Sequence, residues 1–155
     1  MKKKNVGISE IEICRAPGVL TVLGLGSCVA VAMHHERSKT GGLVHIMLPE
    51  GKMKNGVKPG KYANIAVKAI HDKMKKVVGR EGGIVAKITG GSHMFKVTER
   101  FHIGEENIEV VKKELKRLGI KIVAEDCGKN YGRTIIFTPE DGKIQIKSIY
   151  GEKII

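Results

Sequence analysis

Residues 23–29 read LGLGSCV and residues 43–49 read LVHIMLP, so a glycine loop ends in Cys28 and His45 follows seventeen positions later. A thiol and an imidazole are the working groups of cysteine-dependent acyl transfer, in which sulfur attacks a carbonyl and the ring relays the proton. Glycine removes the Cβ atoms that keep a substrate from the backbone, so the N–H groups of Gly26, Ser27 and Cys28 could face a developing oxyanion. A nearby imidazolium would lower the thiol pKa from its usual value of about 8.5. The same residues also read as a glycine-rich strand bend with a buried thiol and a hydrogen-bonded histidine.

Other glycine chemistries are excluded by position. A dinucleotide fingerprint needs glycine three residues after Gly26, where Val29 stands, and a helix rather than a strand should follow. The Gly-Lys-Ser/Thr of a P-loop is absent, and G-x-S-x-G fails because Val29 lies two residues after Ser27. No cofactor is implied. Nor is a metal expected: His34 and His35 are adjacent and would diverge on a strand, while His71, His93 and His102 lack ligand spacing.

A hairpin would bring the two groups together. The polar run HHERSKTGG, residues 34–42, separates two apolar strands. A connection centred between Glu36 and Arg37 sets Cys28 directly opposite His45 on one face, with Cβ atoms about 4.5–5.5 Å apart. A slip of one residue would turn the histidine to the other face.

The rest of the chain supplies the scaffold. Its 155 residues suit a single domain with a sizeable core, 1–155, and the residue usage is that of an ordinary globular protein. No apolar run could span a bilayer and no h-region follows the first lysines, which suggests a cytoplasmic protein. Cys14, Cys28 and Cys127 form no C-x-x-C pair and are read as free, with Cys14 and Cys127 small inert core residues. The net charge of +12 points to an acidic partner. With dispersed lysines and 4% aromatics, however, a solvated basic surface fits better than a nucleic-acid site.

Periodicity predicts two amphipathic helices. One follows Pro59 and Gly60 and ends at Gly79, with Tyr62, Ala66, Ala69, Ile70, Met74 and Val77 as its apolar stripe. The other runs from about Glu105 to Leu118, with Ile108, Val111, Leu115 and Leu118 on one face. Strands are expected over residues 6–13, 19–23, 29–33, 43–47, 84–88, 120–124, 134–137 and 143–149, and residues 49–60 read as a loop. The fold class is therefore α+β, a layered α/β sandwich in which the helices cover a mixed β-sheet core built largely of hairpins. A second glycine turn, TGGSHMF, could line the site through Gly90, Gly91 and Ser92, or simply end a strand with Met94 and Phe95 in the core.

The blocks PGVLTVLGLGSCVAV, GGLVHIMLP, KPGKYANIAV, AKITGGSHMF, IGEENIEVVKKELKRLGIKIVAEDCG and GRTIIF, in that order, strongly resemble the chemoreceptor glutamine deamidase family, CheD. The resemblance implies hydrolysis of receptor glutamine side chains to glutamate with release of ammonia. It places the nucleophile on Cys28 and the histidine on His45, within a layered α/β domain similar to cysteine-dependent toxin deamidases. The family's third residue, a threonine six positions before the cysteine, falls here on Val22. The neighbouring hydroxyl, Thr21, would serve only if a bulge shifted the strand; otherwise a backbone carbonyl or water must orient His45. Cys127 stands in EDCG where the family commonly has threonine.

The resemblance also implies two kinds of partner, chemoreceptor cytoplasmic domains as substrate and the phosphatase CheC. A second reading follows, in which Val22 leaves a catalytically weak binding partner of CheC and receptors. Nucleic-acid binding rests on charge alone and would show a steep salt dependence.

Overall fold

A computed structural model of the chain describes residues 2–79, 82–94 and 102–155. Ten strands and two helices follow in order: β1 Lys3–Asn5, β2 Ile11–Arg15, β3 Val19–Leu25, β4 Val29–His35, β5 Thr40–Ile46, α1 Ala63–Val78, β6 Ile84–Gly90, α2 Ile103–Arg117, β7 Ile122–Cys127, β8 Arg133–Thr138, β9 Lys143–Ser148 and β10 Gly151–Ile154. They form two mixed five-stranded sheets, β1-β3-β8-β9-β10 and β2-β5-β4-β6-β7. Hairpins join β4 to β5, β8 to β9 and β9 to β10, while β6 and β7 are parallel across α2. The expected α+β sandwich is therefore present, with the β-layer doubled.

Alternation explains the layering. Along β4, Val29, Val31 and Met33 join Val44 and Ile46 of β5 in a core against both helices. The intervening Ala30 and Ala32, with Leu43, face the other sheet and meet Leu20, Val22, Leu25, Ile135 and Phe137. A strand buried on both faces reads as a continuous apolar run, as β4 does. Burying each of these larger side chains contributes about 1.5–3 kcal/mol. Both helices lie on the second sheet.

In α1 the buried face is Ala63, Ala66, Val67, Ile70 and Met74. The expected stripe was rotated slightly, and Val77 is exposed. In α2 the face is Gly104, Asn107, Val111 and Leu115, with Glu105 and Glu106 at the positive end and Lys116 and Arg117 at the negative end. Among the described residues no helix is long and apolar enough to cross a membrane.

Two strand expectations need correction. The run 6–13 is not one strand: the chain turns at Ser9, whose φ is 68°, leaving β1 and β2 in different sheets. Strand β10 was missed because it is exposed throughout and carries no alternation.

Candidate active site

Cys28 sits immediately before β4, at the end of a loop that a bulge prepares. Between Val22 and Leu25 the pairing of β3 with β8 shifts register, and Gly24 there has φ 64°. The extra residue resets the alternation. Val22 points into the space between the sheets, Leu23 is exposed, and Leu25 returns to that same core. Gly26, Ser27 and Cys28 follow, all half-buried and reachable from solvent.

The carbonyls of this loop are all engaged. Ser92 N–H donates to Gly26 O at 3.0 Å, and Gly91 N–H to Cys28 O at 2.8 Å. Asn107 Nδ2 donates to Ser27 O at 3.0 Å. Among the described residues no group accepts from the Ser27 or Cys28 N–H. The N–H of Cys28 lies beside its own sulfur and favours the thiolate, although burial wins and pushes the thiol pKa up. The three loop carbonyls are thereby tied back into the protein.

His45 lies in β5 and is almost fully buried. Its partner across the ladder is Ala30, and Val29 pairs with Ile46. The hairpin is therefore centred between Arg37 and Ser38, and Cys28 is not directly opposite His45 as the sequence suggested. The difference is two residues, which preserves the face: Cys28 packs with Ala30 on the inter-sheet core, the side to which His45 also points. The register therefore sets Cys28 and His45 on one face, offset by two residues.

The ring is oriented by the main chain. His45 Nδ1 lies 3.2 Å from the Val6 carbonyl oxygen. A carbonyl only accepts, so Nδ1 carries the hydrogen and Nε2 keeps its lone pair. Burial lowers the His45 pKa, while the Val6 carbonyl and the Glu10 charge work the other way. Burial thus disfavours both charged forms, the thiolate and the imidazolium.

The Thr21 side chain takes no part in this arrangement. Its hydroxyl meets Asn5 Oδ1 at 3.5 Å, and the bulge falls after Val22, too late to turn Thr21 inward. Val6 makes the connection instead, since its N–H donates to Thr21 O at 2.7 Å while its carbonyl holds the ring.

The second glycine turn does line the loop. Gly90 pairs with Val29, and Gly91 and Ser92 make the bonds to Cys28 and Gly26 already described. Gly90 has φ 104°, and a Cβ there would overlap the Cys28 carbonyl oxygen. Met94 is partly exposed rather than in the core, and Phe95 lies outside the described residues. Cys127 is buried enough to push its thiol pKa up to about 12, and Cys14 is also raised, chiefly by burial.

Sequence reasoning missed two supporting residues. Asn107, fully buried in α2, bonds both Ser27 O and Met47 O, tying the cysteine loop to the chain just past His45. Arg133, also buried, reaches Asp126 Oδ2 at 3.0 Å, Ser92 Oγ at 2.8 Å and Gly128 O at 3.0 Å. A polar residue inside an apolar helical stripe was the available signal for Asn107. Arg133 begins a strand-like run, where a charge reads as a solvated end. His93 and His102, which lack ligand spacing in sequence, have ring centroids 5.4 Å apart.

Comparison with known proteins identifies the family. The family model described as CheD chemotactic sensory transduction matches residues 47–148. A protein of Thermotoga maritima named chemoreceptor glutamine deamidase CheD is 44% identical over 149 residues, 96% of this chain and 94% of its own length. Probable chemoreceptor glutamine deamidases CheD of Caldanaerobacter subterraneus and Moorella thermoacetica are 40% and 42% identical, covering 97% and 94% of this chain and 96% and 90% of their own. This chain belongs to the CheD family.

Proposed function

We propose that this protein hydrolyses the side-chain amide of glutamines on chemoreceptor cytoplasmic domains, with Cys28 as nucleophile and His45 as base and acid. The observation that carries the assignment is the half-exposed thiol on the same inter-sheet face as a histidine whose Nδ1–H is held by Val6 O. His45 Nε2 takes the thiol proton as sulfur attacks the amide carbon, and the loop N–H groups hold the oxyanion. The histidine passes that proton to the departing nitrogen, ammonia leaves, and a thioester remains. Water, deprotonated by the same ring, then releases glutamate and restores the thiol. A neutral receptor side chain becomes an anion, which alters helix packing through charge repulsion. A cytoplasmic location follows from that substrate.

Val22 favours a second reading. It fills the inter-sheet core with methyl groups where the family has a hydroxyl, so the chain could act chiefly as a binding partner of CheC and receptors. Ammonia release from purified receptor domain separates the two. The enzymatic reading expects measurable release by the native chain and a fall of at least about a thousandfold in Cys28→Ala. Release unaltered in that variant refutes Cys28 as nucleophile, and normal binding with no release by the native chain supports the second reading.

A further inference from the structure

Outside the Cys28–His45 pair, one cluster among the described residues has the composition of a metal centre. His93, His102 and Glu105 each present a ligand atom, and these atoms lie within 4.8 Å of one another. Backbone packing brings them together from two elements. Gly104, in the first turn of α2, sits so close to the glycine turn that a Cβ would overlap Gly91 O and stand 2.6 Å from Ser92 O. That approach places His102, just ahead of the helix, beside His93, just after Ser92. His93 is anchored by its N–H to Lys129 O at 2.8 Å. His102 Nδ1 has no hydrogen-bond partner and lies 3.9 Å from Glu105 Oε2, one turn along.

We infer that His93, His102 and Glu105 bind a divalent transition-metal ion of the zinc type. Two imidazoles and one carboxylate form a recognised donor set for such an ion, with solvent completing the shell. Metal–ligand bonds of about 2.0–2.2 Å need donor atoms about 3.4 Å apart in a tetrahedron. The exposed carboxylate and the partly exposed ring of His102 can close that small difference by side-chain rotation alone. The ion would staple the turn that backs the cysteine loop to the start of α2, and its ligand set includes no cysteine.

The test titrates untagged full-length protein with Co2+ and Zn2+, following visible absorption and heat. One equivalent is expected, with cobalt bands from nitrogen and oxygen ligands and no sulfur charge-transfer band. Affinity should fall at least about tenfold in His93→Ala and in His102→Gln, and be retained in Cys28→Ser. Metal should raise the melting temperature of the native chain and leave that of His93→Ala unchanged, which separates loss of the site from loss of the fold. Absence of saturable binding, binding unaltered in both histidine variants, or a thiolate band lost in Cys28→Ser each overturns the assignment.

Discussion

Asn107→Ala tests whether the buried amide sets the geometry of the reactive loop. The native Nδ2 donates to Ser27 O at 3.0 Å and Met47 O at 3.2 Å, and both acceptors lose their partner on truncation. Leaving a buried acceptor unsatisfied costs about 1–3 kcal/mol, so the two together cost about 2–6 kcal/mol. The native amide also carries an unpartnered buried Oδ1, whose removal returns part of that loss. The net destabilisation should be about 2–4 kcal/mol, a fall of about 5–15 °C in melting temperature for a chain of this size.

The effect on turnover is separate from this. Among the described residues Asn107 is the single side chain bonding both the loop before Cys28 and the residue two positions after His45, so its loss lets the two halves of the pair drift. A misplacement near one ångström lowers rate about a hundredfold, and the loss should fall on kcat more than on KM. Ammonia release is measured well below the variant's melting temperature, beside thermal unfolding. Asn107→Asp, which keeps the size but sets oxygens against two carbonyls, should be at least as damaging. An alanine variant melting within 2 °C of the native chain, with undiminished kcat, refutes this reasoning.

Gly90→Ala should destabilise by about 1–3 kcal/mol and slow turnover, because φ is 104° and the new Cβ overlaps Cys28 O and approaches Leu25 Cδ2 to 2.8 Å; thermal unfolding with the ammonia assay checks both. Alkylation of Cys28, read by mass spectrometry, should accelerate only as pH rises past the ordinary thiol range near about 8.5, and a midpoint near neutrality would instead indicate a preformed ion pair. The histidine has the opposite sign: its folded pKa lies below 6.5, so its contribution to stability is complete above 6.5 and is lost as pH falls through the lowered value. Activity should accordingly hold to lower pH than an ordinary imidazole base allows, as a pH–rate profile would show. Val22→Thr should cost about 1–2 kcal/mol by burying a hydroxyl, yet raise kcat if that hydroxyl joins the His45 hydrogen bond; an unchanged kcat with lowered stability counts against any catalytic role for that position.

The elements carrying the pair were legible because their patterns are local. Apolar runs flanking a polar connection defined β4 and β5, and three-four spacing defined both helices. Register was less accessible. A shift of two residues leaves every side chain on its face, so alternation alone cannot separate a hairpin centred after Glu36 from one centred after Arg37. Helix coverage of only one sheet was hidden too, since β4 is apolar on both faces whichever layer lies beyond. The supports of the site escaped for a different reason. Asn107, Arg133 and the Val6 carbonyl act across 80, 41 and 39 positions of sequence, and no local pattern reports such contacts.

Val6 changes what the family's missing threonine means. A hydroxyl can donate or accept, so it holds either tautomer of an imidazole and can turn away. A backbone carbonyl accepts only, which locks hydrogen on Nδ1 and leaves the Nε2 lone pair open in the neutral ring. In this chain the group that holds the ring is a rigid part of the main chain. Its position depends on the parallel pairing of β1 with β3, through Val19 N–H to Lys2 O at 2.8 Å and Val6 N–H to Thr21 O at 2.7 Å. Strand β1 has three residues, all exposed, and an exposed edge of that length adds little burial of its own. What anchors the carbonyl is the side chain of Val6, buried with Leu20 and Val22 between the sheets. The methyl groups of Val22 then have a positive role: they help form the apolar seat that keeps Val6, and through it the ring of His45, in place.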